Sequence, residues 1–386
     1  MDVSRSSKIM ILRFFIFDAD LKCKEGEEEK KILYYWSRDL ESIDVKCRYV
    51  GLMEGVLRFG SVFSDGSSLK CLSTQKTRTV FHSPEPGIIL VLSVTVPCKV
   101  VPSKKNLLEF RSENMDMNIY RSILIRSLDM YEFFNGARNR EPKCLSQFFN
   151  QLIPTLQISS SSIFDLLPSI RFLTLSPRSF LRVASLMNKV ETLLHPQMHS
   201  ATFVHEEKVV WSTLEQTPLI LLFSHIKNSV LAKDLKDSTK TENNAQNPFQ
   251  GHCGRVLLGG PKAKRYELVV YGALQSLVVL TISNSVGLGE DSMTRMLKEL
   301  DSFLGPPLTS LSVDLCDVYG KVSDDSGEDS VENRFLYYNA SNRALKSTVL
   351  SVSKETQPLQ YKVMADVYSD IERISEDERG RPLWSW

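Results

Sequence analysis

Apolar residues follow two rhythms along this chain, and the rhythms alternate in the same order more than once. Positions 9–18 and 32–36 are apolar and aromatic runs of strand length on either side of the charged loop 25–31, which predicts a hairpin with a wide loop. From 45 to 63 the spacing turns helical, with Tyr49, Leu52, Met53, Val56, Leu57 and Phe63 near one stripe. Runs at 69–72, 79–81 and 88–96 suit three strands, and Pro84, Pro86 and Gly87 mark the last turn. Met117, Tyr120, Leu124, Leu128 and Tyr131 return to steps of three and four, so a second helix closes the unit.

After helical segments at 145–156 and 180–194 the order begins again. A tight hairpin is predicted at 202–204 and 209–212 across Glu206 and Glu207, then a helix over 214–231, strands at 255–258, 266–271 and 277–282, and helices at 293–303 and 308–318. The polar stretch 233–250 reads as a mobile loop, and the acidic stretch 324–332 as a linker. A third restart predicts strands at 335–338 and 347–352 and a helix over 359–374. The remaining length is too short for a complete unit, so a truncated or alternative terminus or a half domain is expected, with a strand edge that needs a partner. The layout is therefore α+β: a first unit at 8–136, a helical connector at 137–199, a second unit at 200–322 and a partial third at 334–386.

Composition narrows the class. A chain of 386 residues, 42% hydrophobic and 24% charged, can bury two or three cores. Its 47 Lys+Arg against 46 Asp+Glu leave a net charge of +1, which gives no chain-wide field for nucleic acid. Seven scattered cysteines without a C-x-x-C pair argue against a zinc ribbon and fit a reducing cytosol. The run 9–17 is interrupted by Arg13, is followed by Asp18 and Asp20 and lacks a small-residue cleavage site, so we do not expect a signal peptide there. The uncharged run 268–289 is long enough to span a bilayer, but its Gln275, Thr281, Asn284 and three glycines favour two buried strands and a turn.

Catalytic templates fail in turn. Gly259-Gly-Pro-Lys262 puts proline where a phosphate loop needs a flexible nest, and Val286-Gly-Leu-Gly-Glu290 lacks the third glycine of a dinucleotide fingerprint. The pair His195 and His199 encloses a proline and no glutamate, His205-Glu206-Glu207 lacks a second histidine, and no serine sits in G-x-S-x-G. The acidic run Glu25 to Glu29 lacks the spacing of a calcium loop. We expect no catalytic residues, metal or cofactor. A hydrolase working through a dispersed constellation stays open as an alternative.

Surface candidates come from helix physics. Gly51 and Gly55, four apart in the predicted helix 45–63, each cost about 1 kcal/mol relative to alanine. Small residues at that spacing let another backbone approach closely, either the chain's own sheet or a partner helix. Glu54 and Arg58 have the spacing of a solvent-facing ion pair. Lys76 and Arg78 flank a short turn, where they could meet an acidic protein or lipid headgroups, or simply block strand pairing.

Five segments carry a family likeness. They are Glu25-Gly-Glu-Glu-Glu-Lys-Lys-Ile-Leu-Tyr-Tyr-Trp36, Val50-Gly-Leu-Met-Glu-Gly-Val-Leu-Arg-Phe59, Thr74-Gln-Lys-Thr-Arg78, Trp211-Ser-Thr-Leu-Glu-Gln216 and Arg334-Phe-Leu-Tyr-Tyr-Asn339. In this order they resemble the Ccz vacuolar fusion proteins, with similarity fading after about Glu378. The resemblance implies repeated longin domains, each a five-stranded antiparallel sheet with flanking helices, the third incomplete here. It implies a non-catalytic subunit that pairs with a second tri-longin protein, Mon, to form a guanine nucleotide exchange factor for a late-endosomal Rab GTPase. That complex promotes endosome-to-lysosome or vacuole fusion and serves autophagy. The chain would be cytoplasmic, recruited peripherally to lipids of late-endosomal, lysosomal or vacuolar membranes. On this reading 8–136 supplies half of the Rab platform, and Gly51, Glu54, Gly55, Arg58, Lys76 and Arg78 are the nominated partner-binding residues. A longin scaffold or tether without exchange activity is the alternative.

Overall fold

A computed structural model describes residues 9–63, 69–96, 98–101, 107–110, 117–136, 139–156, 158, 169–226, 249–258, 264–283, 290–319, 336–339, 341–347, 366–367 and 370–371. The acidic stretch 324–332, the turn at 259–263, nearly all of the loop 233–250 and most of the helix expected at 359–374 lie outside them. The chain forms two compact units, Met1–Tyr131 with Arg138–Leu167 and Leu350–Trp386, and Glu132–Ala137 with Pro168–Val349.

The first unit opens with β1 (Ile11–Asp18), a short 3-10 turn at Glu28–Lys31 and β2 (Ile32–Ser37), then α1 (Ile43–Phe63), β3 (Cys71–Ser73), β4 (Thr77–Glu85) and β5 (Ile88–Thr95). The sheet is antiparallel in the order β2-β1-β5-β4-β3. The strand β1 explains the four consecutive apolar residues that follow Arg13. Phe14, Phe15, Ile16 and Phe17 are all fully buried, because both faces of the sheet are covered. Phe15 and Phe17 pack with Val50 and Met53 of α1. Phe14 faces the other way, its ring 4.9 Å from that of Phe149.

A hairpin that periodicity did not reveal follows, β6 (Cys98–Val101) and β7 (Leu107–Phe110), and then α2 (Met117–Asn135) and α3 (Pro142–Leu152). Leu145, Phe149 and Leu152 recur at helical spacing and are the buried face of α3. The edge strand β2 is tied to α3 by the Tyr34 hydroxyl, which donates to Asn150 Oδ1 at 2.9 Å. This protects an edge that would otherwise invite foreign strands.

In the second unit Ser176 caps α4 (Pro177–Leu194), its Oγ accepting from the Ser179 amide at 3.3 Å. The following elements are β8 (Met198–His205), β9 (Lys208–Ser212), α5 (Gln216–Ile226), β10 (Phe249–Leu258), β11 (Lys264–Ala273), β12 (Ser276–Ser283) and α6 (Glu290–Tyr319). The sheet order β10-β11-β12-β8-β9 is the first unit's order read from the other edge. Helices α4 and α6 cover one face and α5 the other. Both units thus have the α+β arrangement expected: five antiparallel strands with flanking helices.

Four details differ from the expectation. The stretch 137–199 is divided, since α3 belongs to the first unit and α4 to the second. Residues 249–250 of the expected loop already belong to β10. The two helices expected at 293–303 and 308–318 are one helix, α6, with Pro306 and Pro307 inside it. Those prolines remove the donors that would reach the carbonyls of Ser302 and Phe303. Leu300, Leu304, Leu308, Leu311 and Leu315 still form one buried stripe across the interruption, and that burial holds the helix together.

The fourth difference lies in the third restart, a short hairpin of β13 (Leu336–Asn339) with β14 (Ala344–Ser347), whose second strand comes earlier than the expected 347–352. It joins the second unit. Ile170 pairs in parallel with Ala344, and Phe172 with Val209 of β9, so residues 170–172 lie between the second sheet and the hairpin. The Ile170 amide donates to the Arg343 carbonyl at 2.7 Å, and Leu345 donates to that of Ile170 at 2.9 Å.

Candidate partner-binding surface

Four of the nominated residues lie on α1, and the way α1 sits on its sheet decides what they can do. Of the expected stripe, Met53 is buried and Tyr49 and Leu57 pack partly against the core. Val50, not in that stripe, is buried as well. Leu52 and Phe63 are the correction: they are 56% and 73% exposed. Periodicity misplaced them because α1 has apolar residues on two faces. Val45, Leu52, Phe59 and Val62 repeat at intervals of seven, seven and three on the outer side, and all are exposed. Phe59 and Phe63 pack against each other in the open, ring centroids 4.7 Å apart and planes tilted by 53°.

Gly51 and Gly55 lie on this outer side. A Cβ placed on either would meet nothing within 4 Å, so packing on the chain's own sheet does not require them. The glycine that does is Gly60, whose Cβ would come 3.2 Å from that of Leu69. On the flank, Glu54 is held twice: Lys31 Nζ reaches its carboxylate at 2.9 Å and Arg58 Nη2 at 2.6 Å. The expected Glu54–Arg58 pair is therefore one arm of a triad anchored in the turn before β2.

Lys76 lies in the β3–β4 turn and Arg78 at the start of β4. Thr74 Oγ1 accepts from the Thr77 amide at 2.9 Å, and the Arg78 guanidinium folds back onto the carbonyls of Thr74 and Thr77. That donation commits Arg78 locally. Lys76 is exposed. Among the described residues, no hydrogen bond or ion pair joins this turn to the Gly51–Arg58 stretch.

What orients α1 had no signal in the sequence. Arg13 on β1 donates through Nε and Nη2 to Glu41 Oε1 at 2.9 and 2.5 Å, while the Tyr35 hydroxyl donates to Glu41 Oε2 at 2.7 Å. The Arg13 guanidinium also lies 4.2 Å over the ring of Tyr49 on α1. Burial alone would push the Glu41 carboxyl up, but the hydrogen bonds from Arg13 and Tyr35 outweigh it and hold Glu41 below the usual carboxylate range. Burial, reinforced by the Glu41 carboxylate, raises the Tyr35 phenol. The four residues form one charge-assisted latch.

The second unit supplies an internal standard. There α5 occupies the position of α1, between the second and third strands, yet Leu219, Ile220, Leu221, Leu222, Ser224 and Ile226 are all buried. Phe133, from the last turn of α2, belongs to the same cluster, and the Phe134 ring lies 4.4 Å from that of His225, tilted against it. One helix of the repeated position is enclosed. The other shows an apolar outer face with no cover among the described residues.

No helix among the described residues is long and apolar enough to cross a membrane, and no group of three His, Cys, Asp or Glu side chains there could hold a metal ion.

Comparisons with known proteins agree with this architecture. The family model described as the first longin domain of INTU, CCZ1 and HPS4 matches residues 11–136, which span β1 to the residue after α2. Over 95% of its length the chain is 30% identical to the vacuolar fusion protein CCZ1 homologue of Xenopus laevis, covering 86% of that protein. The Danio rerio homologue is 30% identical across 95% of this chain and 84% of its own length. The Dictyostelium discoideum homologue is 23% identical over 93% of the chain. Repeated five-stranded units, a matching first domain and similarity along nearly the whole sequence place this chain in the CCZ1 family of vacuolar fusion proteins.

Proposed function

We propose that this chain is one subunit of a two-chain guanine nucleotide exchange factor that acts on a late-endosomal Rab GTPase and thereby promotes fusion with the lysosome or vacuole. Its partner is a Mon-type tri-longin protein, and the outer face of α1 is the docking surface. The observation that carries the reading is the bareness of that face beside the enclosed α5. An exposed apolar helix face of this length calls for a partner in water. Gly51 and Gly55 keep the middle of the face low, so a second helix can approach closely there. Phe59, Val62 and Phe63 supply the bulky anchors at one end.

Exchange needs no nucleophile or general base. A Rab holds its nucleotide through magnesium and ordered switch loops. A protein that binds the nucleotide-free arrangement more tightly weakens nucleotide binding by the same factor. In our reading the first unit and Mon together hold switch I away from the magnesium, nucleotide leaves, and GTP refills the site. The flank bearing Glu54 and Arg58 and the Lys76–Arg78 turn are the groups assigned to the Rab, with Lys76 the side chain left exposed there. Recruitment to the membrane is peripheral.

The deciding experiment mixes the full chain, Mon and a late-endosomal Rab loaded with fluorescent nucleotide. Accelerated release that needs both subunits is the expected result. A stable two-chain complex without acceleration would make the assembly a tether, and turnover of a substrate by this chain alone would make it an enzyme.

A further inference from the structure

The exposed positions of α1 are spaced as in a coiled-coil seam. Val45, Arg48, Leu52, Gly55, Phe59 and Val62 follow one another at steps of three, four, three, four and three, and all are exposed. Val50 and Met53 are buried on the opposite side of the helix. Every member of the seam is apolar or glycine except Arg48. We infer that Arg48 sets the register of the docking seam, because the partner's helix must bring a carboxylate against it. The inference rests on the reading of this face as the docking surface, and it adds the chemistry that the face demands of its partner.

Arg48 is uncommitted within its own chain. Of the other cations on α1, Lys46 lies over the Tyr35 ring, 5.4 Å from its centroid, and Arg58 pairs with Glu54 at 2.6 Å. Arg48 makes no hydrogen bond, ion pair or ring contact among the described residues. Asp44 stands one turn before it, at a spacing that allows a pair, yet none forms. In the free chain water solvates the guanidinium. A helix laid along the seam covers Val45 and Leu52 on either side of Arg48, so the charge between them leaves water too.

An arginine cannot escape that cost by losing its proton. The lost hydration has to be offset by hydrogen bonds to the charged group. A single carboxylate offsets it best, since its two oxygens match the guanidinium fork in two parallel bonds. One charged pair in an otherwise apolar seam also fixes how the helices align. Sliding the partner by a turn would set Arg48 against an apolar side chain and the carboxylate against Val45 or Leu52, leaving both charges unpaired. Arg48 stands about 16 Å along the helix axis from Phe59. The partner helix therefore carries its carboxylate at about that distance from the pocket that takes the Phe59 ring.

The test measures binding of the full chain to the Mon-type partner for the parent, Arg48→Leu, Arg48→Glu and Gly55→Leu. Arg48→Leu makes the seam wholly apolar, which would tighten binding if Arg48 only pointed at water. With a carboxylate stranded opposite, it should instead raise Kd by at least about thirtyfold, mostly through faster dissociation. Arg48→Glu should weaken binding by about tenfold more, through like-charge repulsion. Reversing the partner's acidic residues to Arg one at a time should find one change that restores binding of Arg48→Glu to within about threefold of the parent pair. Melting curves of the Arg48 variants should match the parent, because the side chain is exposed and unpaired. Arg48→Leu binding as tightly as the parent, or no single reversal rescuing Arg48→Glu, overturns the inference. If that happens while Gly55→Leu still loses the partner, the docking surface stands without a register-setting charge. If Gly55→Leu and Arg48→Leu both bind like the parent, the docking surface itself falls. Loss through Arg48 alone, with rescue, keeps the carboxylate contact and removes the close helix approach.

Discussion

Lys31 Nζ lies 2.9 Å from the carboxylate of Glu54, which ties the 3-10 turn before β2 to the middle of α1. Both side chains are more than four-fifths shielded, so solvent screens this pair less than an ordinary surface pair. Replacing Glu54 by Gln should lower the unfolding free energy by about 1–2 kcal/mol, because Lys31 and Arg58 both lose their counter-charge. Urea titration of the full chain would measure it, and Arg58→Gln, whose side chain is 71% exposed, should cost well under about 1 kcal/mol.

Gly55→Leu should separate stability from assembly. With open space around the glycine, the substitution removes a helix penalty and stabilises the chain by about 0.5–1 kcal/mol. Co-purification with Mon should nevertheless drop at least tenfold, because the close approach of a second backbone is blocked.

Two phenylalanines should behave oppositely. Phe59→Ser alters a side chain 67% exposed and should change stability by no more than about 0.5 kcal/mol while weakening retention of Mon. Phe149→Ala empties the site where its ring stacks on Tyr131 and packs against Phe14 and Tyr34, and should cost about 3–5 kcal/mol. Thermal melts of the two variants beside the parent chain would show the contrast.

Stability should fall on mild acidification. Burial lowers His82 to about 4, helped by the nearby Arg121 charge, and burial lowers His225 to about 4. Unfolded histidine titrates near 6.5, so between about pH 6.5 and 4 the unfolded state binds protons that the folded state refuses. The stabilisation is complete above that window and is lost as pH falls through it. Urea midpoints at pH 7.5, 6 and 5 should decline in order, and His82→Gln should flatten the decline.

Strand and helix order was legible because each sheet is covered on both faces, which gives β1 and β12 four consecutive apolar residues each, 14–17 and 277–280. The α1 face was not. Leu52 and Val50 are equally apolar and two residues apart, and only the position of the sheet decides that one is buried and the other bare. Gly51 and Gly55 could be singled out from spacing, but no neighbour could be named for them, since a missing Cβ permits a close approach without recording one, and the structure leaves open space at both. The Arg13–Glu41–Tyr35–Tyr49 latch joins residues from four places in the chain, and no local pattern announces it. Pro306 and Pro307 misled in the opposite sense: the residues predict a break, and the leucine stripe on either side overrides it.

Residues 170–172 are bonded along both flanks, to Val209 on one side and to Ala344 and its neighbours on the other. A zipper closed from two directions opens only when both rows of teeth part. The β13–β14 hairpin therefore cannot swing away as a bead on a string, and amide protons of Ile170 and Leu345 should exchange together with those of β9.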